Sequence, residues 1–331
     1  MPQRARRRIA VLGAGAWGTA LALQAARAGN EVSLWARDPA RAAAIGEARE
    51  NARYLPGVTL PPDVQVTADG AAALSDAELV LVAVPAQHLR ATLGLLPPLQ
   101  CPLVACAKGV ERGTLCLPLE ILAELCPGAS LAVLSGPNFA HEVARGLPAA
   151  AVLASSDAAL RNDAAGLLGT PGFRLYGGDD PVGVQVGGAA KNVIAIAAGA
   201  VIGAGLGENA RAALVTRGLA ELSRLATALG GRAETAAGLS GLGDLLLTTT
   251  GPSSRNTSLG MELGRGQRLE AVLAGRVGVA EGVATAPAII ARAAAAGVEL
   301  PICAAVAELL EGSCTVSDAM GRLLARPRRD E

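Results

Sequence analysis

Residues 8 to 30 read "RIAVLGAGAWGTALALQAARAGN", and three of its four glycines, Gly13, Gly15 and Gly18, decide the fold. An aliphatic run precedes them, and a helical pattern closed by a glycine signal at Gly29 follows. In such a strand-turn-helix the first glycine permits the tight turn and the second lets backbone approach a pyrophosphate. The third lets the helix pack closely, while its N-terminus offers N–H groups and a positive dipole end. A bare glycine-rich turn has no use for this context. The same segment imitates a secretory leader, with "RARRR" ahead of apolar residues and "ARA" near its end. The spacing of "GAGAWG" serves no purpose in a leader, so the expectation is a soluble cytoplasmic chain.

Working outward, short aliphatic runs alternate with helical stretches through the first half: "RIAVLG", "EVSLWA", "LVLVAV", "LVACA" and "LAVL", then a strand pair "AAAVLA" and "FRLY". That alternation predicts an α/β fold, a doubly wound, mostly parallel sheet covered on both faces. Each of the first five strands ends in an unusual polar or turn-forming piece, and ligands of open α/β sheets bind at the carboxyl ends of the strands. Near "GGDDPVG" the pattern changes. Asp180 followed by Pro181 reads as an N-cap with proline at the first helical position. Beyond it lie alanine- and leucine-rich helical patterns over 208–229, 284–296 and 302–311. The expected organisation is a dinucleotide-binding domain over 1–183 and a helical substrate-binding domain over 184–331.

Composition narrows the partners. The chain has 331 residues and a formal net charge of zero, with no broad basic surface for nucleic acid or an anionic membrane. The six cysteines form no CxxC pair and no metal-type spacing with histidine, so no metal is expected and the thiols fit a reducing compartment. The longest later apolar run, Val193 to Leu206, falls short of the ~20 residues that span a bilayer. No stable membrane insertion is expected, and a homodimer is left open.

Of 29 basic residues only two are lysines, Lys108 and Lys191. Guanidinium does not deprotonate usefully, whereas an amine does, so lysines in an arginine-rich chain mark candidate proton-transfer sites. Lys108, in "ACAKGVE", leaves a strand at the binding edge; its plain alternative is a solvated lysine at a loop start. Lys191 sits in "GGAAKNVIAIAAGAV", a charge set into an apolar run. Asp244, in "GLSGLGDLLLTTT", is a carboxylate in apolar surroundings that calls for a cation or several N–H partners. Ser253, Ser254, Arg255 and Asn256 offer hydroxyl, guanidinium and amide together, which suits a phosphate dianion and equally suits a polar helix cap. In "SGPNFAHEV", backbone and Asn138 could contact a substrate, with Phe139 and Ala140 near the nicotinamide end of a dinucleotide. His141 and His88 read as surface residues. In "WARDP", Asp38 reads as the N-cap of the next helix. Arg37 is then placed either for a 2′-phosphate, which tilts the cofactor toward NADP over NAD, or simply at the surface.

In order along the chain, "GAGAWGTALA", "NARYLPGVTLP", "AKGVE", "LSGPNFAHEVA", "VQVGGAAKNVIAIAAG", "GLGDLLLT", "SRN" and "VAEGV" resemble the NAD(P)-dependent glycerol-3-phosphate dehydrogenases of bacterial type. The resemblance covers nearly the whole chain. One departure is Leu259, where the family carries an aromatic before the next glycine. It implies a Rossmann-like domain followed by a helical one, and reversible hydride transfer between NAD(P)H and dihydroxyacetone phosphate, yielding sn-glycerol 3-phosphate for phospholipid synthesis. It further implies Lys191 as general base, Lys108 with Gly136 and Asn138 as substrate contacts, and Asp244 orienting the lysine. Ser254, Arg255 and Asn256 would hold the phosphate. Ala16, Trp17, Arg37, Lys108, Ala140, Arg255, Val279 and Glu281 would lie along the cofactor.

A free lysine has a pKa near ~10.4, too high for an efficient base at neutral pH. Burial on an alanine-rich helix, the charge of Lys108 and an oxidised nicotinamide would lower it, and Asp244 would raise it. The expectation is that Asp244 mainly aims the amine while the net pKa stays depressed. A β-hydroxyacid dehydrogenase could share the plan but has no use for "SRN". A non-catalytic nucleotide-binding regulator has no reason to keep Lys191 with Asp244.

Overall fold

A computed structural model describes residues 6–276 and 278–327; the first residues of "RARRR" and the outer ends of both expected domains lie outside them. The described residues form two compact units. One takes the chain up to Lys108 together with Cys116–Gln185, and the other takes Gly109–Leu115 together with Val186 onward. The short stretch after Lys108 therefore packs with the helical unit.

The first unit is built on β1 (Arg8–Leu12), β2 (Glu31–Trp35), β3 (Val64–Thr67), β4 (Leu79–Val82), β5 (Leu103–Ala105), β6 (Leu131–Ser135), β7 (Ala149–Ala154) and β8 (Phe173–Gly178). They form one eight-stranded sheet in the order β3-β2-β1-β4-β5-β6-β7-β8. Every pairing is parallel except β6 with β7. The order reverses direction beside β1, and that reversal opens the crevice at which doubly wound sheets bind dinucleotides. The α/β expectation holds, with one strand added: β3, "VQVT", lies at the sheet edge with Gln65 exposed, so it carries no aliphatic run to betray it.

The alternation of side chains along β1 divides the core. Ile9 and Val11 enter the cluster under one face, with Leu21, Leu34 and Leu134. Ala10 and Leu12 enter the other, with Val80, Leu103, Ile121 and Leu122. The covering helices are α1 (Ala16–Arg27), α2 (Pro39–Ala48), α3 (Gly70–Leu74), α4 (Ala86–Leu93), α5 (Pro118–Leu125), α6 (Ala140–Ala144) and α7 (Ala158–Leu168). Asp38 caps α2 by accepting the Ala40 amide at 3.0 Å, so its carboxylate is spent on the helix.

The regular elements among the second unit's described residues are all helices: α8 (Pro181–Gly203, whose first turn belongs to the first unit), α9 (Glu208–Ala228), α10 (Ala233–Ala236), α11 (Asp244–Thr249), α12 (Arg255–Gly264), α13 (Leu269–Ala274), α14 (Glu281–Ala295), α15 (Pro301–Glu311) and α16 (Val316–Leu324), with one π-helical turn ahead of α11. Asp180 accepts the Gly183 amide at 2.8 Å and starts α8. The apolar run expected to be too short for a membrane is part of this longer helix, which does have the length and composition to cross one. Yet 83% of its most apolar stretch is buried inside the protein, so it is a core helix.

What it packs against explains its glycines. A Cβ on Gly199 or Gly203 would lie 2.1 Å from the carbonyl oxygen of Thr257 or Met261 on α12. One on Gly260 or Gly264 would lie 2.1 or 2.3 Å from that of Ile196 or Ala200. Two GxxxG segments thus meet backbone to backbone, and Leu259 beside Gly260 is fully buried.

Glu221 on α9 is buried and caps α15, accepting the Ile302 amide at 2.6 Å and the Cys303 amide at 3.2 Å. Burial pushes its carboxyl up from the ordinary 4.5, and the two amides pull it back only in part. The folded chain therefore holds this proton more tightly than the unfolded chain. Stability contributed here is full below pH 4.5 and is lost as pH rises to the raised folded value. In Glu221→Gln, the melting temperature relative to wild type should improve as pH rises through that window; parallel melting curves across it would contradict the assignment.

Candidate active site

In the first unit the nucleotide turn has the geometry its glycines demand. Gly13 has φ +109°, and a Cβ there would lie 2.9 Å from the Ala83 carbonyl oxygen; on Gly18 it would lie 1.8 Å from that of Gly13. A Cβ on Gly15 would meet nothing within 4 Å, so that face of the turn is open. The first turn of α1 contains no acidic residue and no side-chain cap. The buried Trp17 indole N–H has no protein acceptor. An uncapped helix N-terminus, an open glycine and an orphaned donor fit the pyrophosphate and nicotinamide portions of a dinucleotide.

Two residues not singled out from the sequence hold this turn. Asn51 Nδ2 donates to the Ala14 carbonyl at 2.9 Å and to Thr19 Oγ1 at 2.8 Å, and the Arg41 guanidinium also donates to that carbonyl. Arg41 lies over the Tyr54 ring at 4.4 Å. Only "NARYLPG" hinted at Asn51 and Tyr54, and nothing local marked Arg41. Arg37 stands exposed after β2.

Lys108, beyond β5, donates from Nζ to the Gly136 carbonyl at 3.2 Å. Gly136 has φ +151°, and a Cβ there would lie 2.9 Å from Ala151 Cα, so the bend after β6 requires glycine. Asn138 donates to the Ala150 carbonyl at 3.0 Å, while its Oδ1 and Ser135 Oγ are buried with no protein partner. Orphaned polar atoms beside a lysine are what a polar ligand would satisfy. The neighbouring Cys106 thiol is pushed up to about 12 by burial, against the pull of the Lys108 charge, and stays protonated. Ala140 opens α6, where His141 is exposed and stacked on Phe139 at 5.6 Å; His88 is exposed on α4.

In the second unit Lys191 and Asp244 meet. Lys191 Nζ lies 2.8 Å from Asp244 Oδ1 and 3.0 Å from Thr248 Oγ1, with side-chain exposures of 10% for the lysine and 1% for the aspartate. Thr248, four residues after Asp244 and so on the same helix face, was missed in the sequence; the spacing in "DLLLT" is the signal that could have found it. Its hydroxyl donates to the Asp244 carbonyl at 2.5 Å. A π-helical turn, Leu239–Gly243, delivers Asp244 to this position. It seats against α8 through Gly187, where a Cβ would lie 2.6 Å from the Ser240 carbonyl oxygen.

The "SRN" residues begin α12. Ser254 is its N-cap, accepting the Thr257 amide at 3.3 Å, which realises the helix-cap reading; a hydroxyl that accepts there still has a proton to donate. Asn256 donates to Asn192 Oδ1 at 2.9 Å and accepts the Gly282 amide at 3.1 Å, which joins the first turns of α12 and α14. Asn192 Nδ2 is left buried without a protein acceptor. Arg255 is exposed beside this cluster, and Arg276 donates to its carbonyl at 3.0 Å. Val279 is 44% exposed and Glu281 lies in the first turn of α14.

A nucleotide turn on a doubly wound sheet, with a buried lysine–aspartate pair on a helical unit, defines a two-domain NAD(P)-dependent dehydrogenase. The family models for the NAD-dependent glycerol-3-phosphate dehydrogenase N-terminus and C-terminus match residues 8–161 and 180–321. The glycerol-3-phosphate dehydrogenase (NAD(P)+) of Acidiphilium cryptum is 57% identical over 323 residues, 98% of each chain. That of Caulobacter vibrioides is 54% identical over 327 residues, again 98% of each. The crystal structure of glycerol-3-phosphate dehydrogenase from Coxiella burnetii superposes with a TM-score of 0.93 at 36% identity, covering 97% of this chain and 99% of that one. The chain belongs to the NAD-dependent glycerol-3-phosphate dehydrogenase family and is an NAD(P)-dependent oxidoreductase.

Because the Gly18 Cβ position lies almost on the Gly13 carbonyl oxygen, Gly18→Ala should open the turn. The expected outcome is a Kd for NADH or NADPH raised by about tenfold or more, measured by fluorescence titration. An unchanged Kd would remove this turn from nucleotide binding.

Proposed function

We propose that the chain interconverts dihydroxyacetone phosphate and sn-glycerol 3-phosphate, with Lys191 as the group that moves the proton. The observation that carries this is the buried amine of Lys191 fixed at 2.8 Å by Asp244 and 3.0 Å by Thr248. Bound NAD(P)H supplies the hydride to C2, and NAD(P)+ takes it back in the reverse direction. Lys191 gives its proton to the oxygen on C2 during reduction and removes the hydroxyl proton during oxidation. Asp244 and Thr248, on one face of α11, hold the amine through two hydrogen bonds, so they set where Nζ points as well as its charge balance.

On the same reading Ser254, Arg255 and Asn256 hold the substrate phosphate. The first turn of α12 supplies a positive dipole end with no acidic residue in it, a guanidinium and an amide. Lys108, Gly136 and Asn138 contact substrate, and the orphaned Asn138 Oδ1 and Ser135 Oγ support a polar ligand there. Ala16, Trp17, Arg37, Lys108, Ala140, Arg255, Val279 and Glu281 line the cofactor, with Arg37 favouring the 2′-phosphate of NADP. The reading includes a cytoplasmic enzyme whose product is the backbone of phospholipids.

The test follows the absorbance of reduced nucleotide with dihydroxyacetone phosphate as oxidant; no consumption of either NADH or NADPH would end the proposal. Lys191→Arg keeps a cation but cannot give up its proton, so kcat should fall by about 10²–10⁴ with nucleotide Kd unchanged. Near-normal kcat would remove Lys191 from the chemistry. Arg37→Ala should weaken NADPH more than NADH, and an unchanged ratio of the two Kd values would return Arg37 to a surface role.

A further inference from the structure

Thr257 follows Ser254, Arg255 and Asn256 directly and is fully buried. Its polar groups are committed in two directions. Its amide donates to Ser254 Oγ at 3.3 Å, which closes the first turn of α12. Its hydroxyl donates to the carbonyl oxygen of Thr248, nine residues back on α11. That carbonyl lies in the last turn of α11, where helix carbonyls have no partner within the helix, so the hydroxyl caps α11 from outside. Thr248 in turn accepts the Lys191 ammonium on its own hydroxyl at 3.0 Å. The third contact is main chain: a Cβ on Gly199 would lie 2.1 Å from the Thr257 carbonyl oxygen, so Thr257 rests against α8, the helix that carries Lys191. The intervening residues "TGPSS", 250–254, run between α11 and α12.

We infer that Thr257 is a positioning residue that ties the phosphate-holding turn of α12 to the lysine-holding turn of α11. The inference rests on the proposed roles of Ser254, Arg255, Asn256 and Lys191. A phosphate held on the first turn of α12 orders that turn. The Thr257 hydroxyl then holds the Thr248 end of α11 in the position where Thr248 meets Nζ. The link is made without a ligand, so a substrate without a phosphate meets it as it stands and adds nothing to it, whereas a phosphate on the first turn of α12 strengthens it. Thr257 therefore acts on the difference between phosphorylated and unphosphorylated substrate, not on the chemistry common to both.

The experiment compares kcat/KM for dihydroxyacetone phosphate and for dihydroxyacetone in wild type, Thr257→Val and Thr257→Ser. Valine keeps the shape and removes the hydroxyl; serine keeps the hydroxyl and removes the methyl. Thr257→Val should lose about tenfold of the advantage of the phosphorylated substrate, chiefly in kcat, with dihydroxyacetone activity held within about twofold; Thr257→Ser should keep the advantage. A merely structural role would lower both substrates alike in Thr257→Val, and that outcome overturns the inference. So does a Thr257→Ser variant as impaired as Thr257→Val. If Thr257→Val does not fold, Thr257→Ser is compared with Thr257→Ala, which differ only in the hydroxyl, and equal advantages in those two overturn it. A wild-type enzyme with no advantage for the phosphorylated substrate would instead overturn the phosphate reading on which the inference stands.

Discussion

The second unit depends on one expensive interaction, the ion pair of Lys191 and Asp244 at 2.8 Å in a site that leaves the aspartate side chain 1% exposed. Taking each ion out of water costs several kcal/mol even after relaxation, and a well-packed apolar pair of similar volume would often stabilise the fold as well or better. The pair is therefore poor evidence of a stability device. Its form fits an amine that must be aimed. Carboxylate and threonine hydroxyl approach Nζ from the same helical face, and the Thr248 hydroxyl is itself fixed by the Asp244 carbonyl. The chain accepts a π-helical turn just ahead of Asp244 to present it. π-Helical turns are rare and frequently fall at functional sites.

That demand reaches into the packing. With aromatics at 2% of the chain, the core is built from alanine, glycine and branched aliphatics. Small residues bury less apolar surface each, but they let helix backbones approach. The facing pairs Gly199 with Gly203 and Gly260 with Gly264 bring α12 against α8 at a distance no side chain would permit. Gly282 extends the pattern: a Cβ there would lie 2.7 Å from the Asn192 carbonyl oxygen and 2.9 Å from Asn256 Oδ1. The polar cluster of Asn192, Asn256 and the start of α14 is possible only because glycine occupies these positions. A composition that looks merely alanine- and glycine-biased is thus what allows amine, carboxylate and amide groups to be fixed on three adjoining helices.

Legibility in the sequence followed the range of the forces involved. The nucleotide turn was readable because Gly13 and Gly18 answer local steric demands, and the Asp180–Pro181 start of α8 because capping is local. The strand β3 was not, since an edge strand with one exposed glutamine needs no apolar run. Lys191 stood out by scarcity, and Asp244 by the oddity of a carboxylate among leucines. Asn192, Asn51 and Arg41 stayed hidden because their partners are distant in sequence: Asn51 reaches Ala14, and Asn192 reaches Asn256. Ser254 could be read as a cap or as a phosphate ligand, and its geometry explains why the residues alone could not choose: its oxygen accepts the Thr257 amide while its hydroxyl proton is uncommitted by that bond. The segment 109–115 escaped any boundary drawn through the sequence, since its membership is decided by contacts such as Arg292 with the Leu115 carbonyl.

Net neutrality leaves the question of how such a chain attracts two anions, a dinucleotide and a phosphorylated triose. Several of its surface arginines are paired with acids: Arg6 with Asp63, Arg8 with Asp76, Arg90 with Glu124, Arg265 with Glu262 and Arg326 with Glu299. Beyond a Debye length of roughly 10 Å such pairs cancel one another. Recognition must be short-range. The helices α1 and α12 both begin without an acidic residue in the first turn, and each presents amide groups at its positive end. Such an end carries about half a unit charge, fixed in place and costing no side-chain entropy, and it acts most strongly on a ligand that has already shed its water. A helix end of this kind favours an anion only where the anion fits it, and at α12 the exposed Arg255 in the first turn adds a full positive charge to that partial one.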